Sequence, residues 1–302
     1  MKRFIYLFIV LLIIMSNGIE CYADVDEDLF VSKSEEVNFN INFNDKTIMA
    51  KGYIFYDTCF VDLRDFVEVL GYKYVETNYI CYDYWGEERI YFGEMYKDNE
   101  IYYFSIENRK SGSYYDVKFR NFYAEKSVNG VREDVFLSEW IASASISVNN
   151  IPYVDICAIA YLFDDLGYMT KIDMDNNEAV IKRYNKADFE QRVSEKYNVE
   201  AYSVCNGLNE MYYKFITNST YDIYSGLDNE DAKEKCQKLL EYIWGISVSE
   251  INLKYDSSLD IYIASSKGNF SNDGKSMIPS KYDNVSPKLI IRAFDGMILY
   301  PY

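Results

Sequence analysis

From Asn38 onward apolar and polar residues alternate, Phe39, Ile41 and Phe43 standing between Asn38, Asn40, Asn42 and Asn44. This is the period of a strand with one face in a core. Asn44-Asp45 follows as a hairpin turn, and Tyr56-Asp57 as a second turn between Tyr53-Ile54-Phe55 and Cys59-Phe60-Val61. The spacing then becomes helical: Leu63, Phe66, Val67 and Leu70 fall at i, i+3, i+4 and i+7, one stripe of a short helix. Asp62 is placed to cap its N-terminus, and Gly71 to end it in a left-handed conformation.

The same pattern returns later in the chain. Ser147 to Val154 aligns with Ile54 to Val61 at an offset of 93, which puts Asn149-Asn150 on the turn at Tyr56-Asp57. Tyr153-Val154-Asp155-Ile156 then repeats Phe60-Val61-Asp62-Leu63, and Ile156, Ile159, Ala160 and Phe163 form the second helical stripe. Leu166-Gly167-Tyr168 matches Leu70-Gly71-Tyr72 at an offset of 96, so the second helix gains about one turn and its stripe keeps its direction. Val128-Asn129-Gly130-Val131 occupies the place of the Asn44-Asp45 hairpin. Two copies of hairpin, short helix and return hairpin account for this pattern.

The repeated core, Val61, Asp62, Leu63, Arg64 and Gly71 in one copy and Val154, Asp155, Ile156 and Gly167 in the other, resembles the copper amine oxidase N-terminal-like, or stalk, domain of secreted proteins of Gram-positive bacteria. The resemblance spans roughly Val37 to Tyr184. Asp62 and Asp155 stand where the motif has proline, a change that still favours a helix start, and the motif's arginine is kept as Arg64 but replaced by Cys157. The resemblance implies an accessory fold, a small antiparallel sheet curled around a helix, and no catalysis. The copper chemistry in the family name depends on histidines of a separate domain, and this chain contains no histidine.

After Tyr184 the pattern changes. Val204, Leu208, Met211 and Phe215 have helical spacing, as do Ala232, Cys236, Leu239, Leu240 and Ile243, the latter group following Asp228 as N-cap and stopping at Gly245. Leu259, Ile261 and Ile263 alternate with polar neighbours. Leu289 to Phe294 and Met297 to Tyr300 are joined by Asp295-Gly296, a strong hairpin signal, while Ser265 to Ser286 reads as a loop. The expected fold class is α+β: two hairpin-helix-hairpin repeats followed by a second small α+β domain. The expected boundaries are a signal peptide at 1–23, an acidic leader at 24–36, the duplicated stalk-like domain at 37–185 and the C-terminal domain at 186–302.

The signal reading rests on Lys2 and Arg3, the apolar run Phe4 to Met15 and the small-x-small site Cys21-Tyr22-Ala23, with cleavage after Ala23. That apolar run is too short for a membrane span, so none is expected after cleavage. Cleavage leaves five of the six cysteines, Cys59, Cys81, Cys157, Cys205 and Cys236, widely spaced and without a CxxC. Cys157 and Cys236, on predicted helices, read as small buried residues, which is favoured over a disulfide framework with room for one opportunistic bridge.

Charge and composition narrow the function. With 31 Lys+Arg against 48 Asp+Glu, a formal charge of −17, binding along nucleic acid or an anionic membrane is disfavoured. The absence of histidine removes Ser-His-Asp triads, Cys-His dyads and His-ligated metal sites. Asp173 to Glu178 begins like a calcium loop, but Glu178 stands in the glycine position and Tyr184 in that of the bidentate glutamate, so a solvated turn is expected. No catalytic, cofactor-binding or metal-ligating residue is singled out. Among the 32 tyrosines, Tyr82, Tyr84 and Trp85 are the candidate binding residues, a turn there projecting large rings able to stack on sugars or peptides. The chain thus reads as a secreted, non-enzymatic protein of the cell envelope with wall glycan or a surface protein as partner. The alternative is an envelope hydrolase with a carboxylate site in residues 186–302.

Overall fold

The computed structural model describes residues 28–56, 58–82, 88–97, 100–107, 112–114, 117–128, 131–137, 145–149, 151–202, 226–228, 232–244, 251–266 and 286–301. The chain opens with β1 (Glu35–Phe43), β2 (Lys46–Phe55), β3 (Thr58–Asp62), helix α1 (Leu63–Val69), β4 (Lys73–Tyr82) and β5 (Glu88–Lys97). It continues through β6 (Glu100–Glu107), β7 (Gly112–Tyr114), β8 (Val117–Phe119), β9 (Phe122–Val128) and β10 (Val131–Leu137). The second hairpin and helix follow as β11 (Ser145–Val148), β12 (Ile151–Asp155) and α2 (Ile156–Asp165), with β13 (Tyr168–Asp173) and β14 (Glu178–Arg183) returning. The last part holds α3 (Lys186–Tyr197), α4 (Ala232–Trp244), β15 (Ile251–Asp256), β16 (Ile261–Ser266), β17 (Lys288–Arg292) and β18 (Ile298–Tyr300). The fold is α+β.

Local chemistry explains the boundaries of the repeated unit. In β1 the alternation buries Val37, Phe39 and Ile41. The Asp62 carboxylate accepts the Arg64 backbone N–H at 3.0 Å, and Asp155 accepts that of Cys157 at 2.8 Å, so each aspartate caps a helix. Gly71 and Gly167 end the helices at φ +83° and +80°, a region closed to most side chains. The paired turn positions also match, Tyr56 at φ +55° and Asn149 at +52°. The helices run seven and ten residues. Leu63 and Ile156 are both fully buried, and the helices meet at Phe66 and Phe163, whose rings lie 6.1 Å apart.

A seven-stranded sheet runs in the order β11-β12-β3-β2-β1-β14-β13. Its second and third strands, β12 and β3, form an antiparallel pair in the register Phe60 to Asp155, Val61 to Val154 and Asp62 to Tyr153. Val61 and Val154 are equivalent positions of the two repeats, so a local pseudo-twofold axis passes between them. Beyond β2, the first repeat continues into β1, which pairs in parallel with β14 of the second. The second repeat has no such continuation among the described residues. Among the described residues β11 is an edge, touched on its outer side by one isolated bridge between Ser145 and Arg120. The hairpin expected beside it is β9-β10, and this lies instead in a five-stranded sheet of order β10-β9-β6-β5-β4. β7 and β8 pair with each other.

The leader expectation needs correction where the structure describes it. Residues 28–33 are helical, and Phe30 is fully buried against Tyr53, Phe55 and Phe60 on the face of the seven-stranded sheet away from the main core. One aromatic side chain in an acidic stretch is enough to dock it. The C-terminal sheet, β15-β16-β17-β18, carries α4 on one face, and its apolar residues belong to the same contiguous core as the repeats. The Asp295-Gly296 hairpin forms, with Gly296 at φ +72°. Between β13 and β14 the Asp173 carboxylate accepts the Asn176 N–H at 3.1 Å, a solvated turn as expected. Cys59, Cys157 and Cys236 are buried free thiols and Cys81 is free and half-buried, while Cys205 lies outside the described residues. The 204–215 helix and most of the 265–286 loop lie outside them too.

Candidate functional site

Where the second repeat lacks its flanking strand, a cavity of about 650 Å³ opens between the two sheets. Its five-stranded wall is shaped by irregular pairing. Glu76 pairs with Gly93 and Tyr79 with Tyr91, so Thr77 and Asn78 of β4 face the single residue Phe92 of β5. Phe92 is skipped again between β5 and β6, where Tyr91 pairs with Ser105 and Gly93 with Phe104. Such bulges bend a sheet and redirect side chains, and Thr77, Asn78 and Phe92 all line the cavity. The bend leaves Thr77 Oγ1 buried with no hydrogen-bond partner among the described residues. Gly93 is needed for the same geometry, because a Cβ there would stand 2.0 Å from the Tyr74 hydroxyl oxygen.

Ile90, Phe92 and Ile106 supply apolar surface from the five-stranded sheet, and Ile151 and Pro152 supply it from β12. Tyr74, Ser147 and Asn149 add neutral polar groups. The charged groups are Arg64, Glu76 and Arg120. Arg64 is paired with two carboxylates. Its Nε lies 2.9 Å from both Asp62 carboxylate oxygens, Nη2 is 2.5 Å from Oδ2, and Nη1 donates to Glu76 Oε1 at 2.6 Å. Burial pushes the Tyr74 hydroxyl pKa up, so that ring stays neutral.

Arg120 differs. Its backbone is fixed by Ser145, which receives the Arg120 N–H on its carbonyl at 3.0 Å and donates its hydroxyl to the Arg120 carbonyl at 2.9 Å. Among the described residues no carboxylate forms an ion pair with its guanidinium. Burial draws its pKa below the usual arginine value, with no opposing charge to restore it.

The contrasting charged site joins the second repeat to the C-terminal part. Arg292, at the end of β17, donates to Asp295 through Nε at 2.7 Å and Nη2 at 2.5 Å, and to Asp164 Oδ1 through Nη2 at 2.7 Å. Its Nη1 donates to the Tyr184 hydroxyl at 2.9 Å, which itself donates to Asp164 Oδ1 at 2.6 Å. Lys186 Nζ lies 3.0 Å from Asp164 Oδ2 and 2.5 Å from Asp165. Burial alone would raise the Asp164 pKa, but Arg292, Lys186 and the Tyr184 hydroxyl outweigh it and hold it at about 2. Every strong donor here already has an acceptor, and Arg292 and Asp164 are each 1% exposed, so the cluster is a structural tie.

Of the residues expected to bind, Tyr84 and Trp85 lie outside the described residues. Tyr82 is the last residue of β4, the strand that lines the cavity at Thr77 and Asn78. Among the repeat-motif residues, Arg64 lines the cavity, Asp62 holds it, and Leu63, Val61, Val154 and Ile156 are core. Arg120 was not singled out by the sequence, because one arginine on an irregular stretch has no local signature. Arg292 had one, a cation inside the apolar run Leu289 to Phe294. Among the described residues no group of three or more Cys, Asp or Glu is arranged to hold a metal ion. The chain matches no family model, no curated protein and no solved structure.

Proposed function

We propose that the chain is a secreted, non-enzymatic protein of the cell envelope, a scaffold whose ligand occupies the cavity between the two sheets. The observation that carries this reading is the make-up of that cavity. At about 650 Å³ it falls within the range of roughly 300–1,000 Å³ usual for ligand sites, and its walls mix apolar surface with a few placed polar groups. Among the described residues its single lining carboxylate, Glu76, is held by Arg64, which leaves no free general base. The signal-like residues 1–23 support export, and the stalk-like repeats support an accessory role beside wall glycan or a surface protein. No described helix is long and apolar enough to cross a membrane.

The hydrolase alternative has one observation in its favour. A hollow of about 460 Å³ is lined by Asp228, Asp260, Tyr255 and Lys182. Both carboxylates are exposed, and Asp260 accepts the Tyr255 hydroxyl at 2.7 Å, whereas a catalytic acid needs a desolvated setting. Incubation with purified cell wall tests both readings. Sedimentation with the wall without release of soluble fragments is expected. Release that scales with protein and disappears in Asp228→Asn or Asp260→Asn would replace binding by hydrolysis, and absence of association would overturn the envelope reading.

A further inference from the structure

We propose that Arg120 anchors a carboxylate in the inter-sheet cavity, so that the ligand held there is a short peptide with apolar side chains and a free C-terminal carboxylate. The proposal rests on the cavity being the binding site. It starts from the two arginines on the cavity wall. Arg64 presents its fork to Asp62 and its remaining edge to Glu76, so its charge is already balanced within the chain. Arg120 is held by its backbone at the bridge to Ser145, lines the same cavity, and among the described residues has no carboxylate partner. A guanidinium is a planar set of donors that fits an oxyanion two bonds at a time, and one withdrawn from water gains most from such a partner.

The rest of the wall selects what carries the anion. Ile90, Ile106, Ile151 and Pro152 suit short aliphatic side chains, and Asn78 and Ser147 offer neutral donors and acceptors of the kind that pair with peptide amides. Glu76 lies on the same wall and disfavours a second negative charge. A polyanion therefore fits poorly, whereas a peptide terminus with one charge and an apolar body fits.

Titration calorimetry with the full chain tests this, using N-acetyl-Ala-Val-Ala with a free carboxylate, the same peptide as its C-terminal amide, and inorganic phosphate. The acid is expected to bind at least tenfold more tightly than the amide. Arg120→Gln should remove that difference while thermal melting shows the variant folded, and Arg120→Lys should restore only part of it because an ammonium lacks the fork. Arg192→Gln, on the exposed side of α3, should bind as the parent does. Equal binding of acid and amide, no binding of the acid, or an undiminished preference in Arg120→Gln overturns the proposal, and binding of phosphate in place of the acid overturns it in favour of a phosphate anchor. Wall sedimentation keeps the two readings apart: wall binding without peptide-acid binding removes the carboxylate anchor alone, and Arg120-dependent peptide binding without wall association removes the envelope reading alone.

Discussion

Arg292 and Arg120 are both arginines drawn out of water, and their surroundings are opposite. Arg292 is enclosed by Asp295, Asp164 and the Tyr184 hydroxyl, and it ties β17 to the end of α2 and to the residue after β14. Arg120 meets a cavity and, among the described residues, no carboxylate. A buried charge that is fully partnered by its own chain stabilises a particular arrangement of elements, while one left without a partner costs stability and is retained where an outside group completes it.

The largest effect that would break this comparison is at the tie. Arg292→Leu leaves Asp295 buried without its cation and Asp164 with Lys186 alone, and a loss of about 3–5 kcal/mol is expected in urea unfolding. A loss below about 1 kcal/mol would show that the cluster is not holding the two parts together. Acid probes the same tie. Asp164 has its pKa depressed to about 2, so its contribution is complete above the unfolded value near 4 and fades as the pH falls through 2. In Asp164→Asn the pH dependence of the melting temperature between about 4 and 2 should flatten.

The cavity side of the comparison predicts smaller effects. Gly93→Ala drives a methyl group into Tyr74, overpacking that typically costs about 1–3 kcal/mol, and the displaced ring should weaken peptide-acid binding although Arg120 is untouched. Arg120→Leu should have the opposite sign to Arg292→Leu, raising stability by about 1 kcal/mol in thermal melts while abolishing the preference for acid over amide. If both leucine variants destabilise alike, the two arginines have the same role and the contrast fails.

Much of the local structure was legible in the chain because it depends on short-range chemistry. Asp62 and Asp155 cap their helices through side chains two residues from the bonds they make, Gly71 and Gly167 take left-handed backbone, and Asp295-Gly296 turns a hairpin. The repeat was visible for the same reason. The cavity was not. It depends on bulges at Thr77, Asn78 and Phe92, which pairing and not composition creates, and on Arg120, Ser147 and Ile151 being brought beside β4 from far along the chain. Phe30 was misplaced for a related reason, since nothing in an acidic stretch announces that a sheet face formed by Tyr53, Phe55 and Phe60 will receive it.

The register across β3 and β12 has a consequence for ancestry. Val61 facing Val154, with the flanking pairs exchanged across the axis, is the arrangement two identical chains adopt when they associate about a twofold. Read so, the duplicated part is a homodimer written into one polypeptide. A true homodimer presents every substitution twice, but tandem halves can differ: Arg64 in one stands where the other has Cys157, and β2 has β1 beside it whereas β11, among the described residues, has on its outer side only the bridge to Arg120. The cavity draws on both halves, Arg64 and Tyr74 from one and Ser147, Ile151 and Pro152 from the other, so each half supplies a different wall of one space.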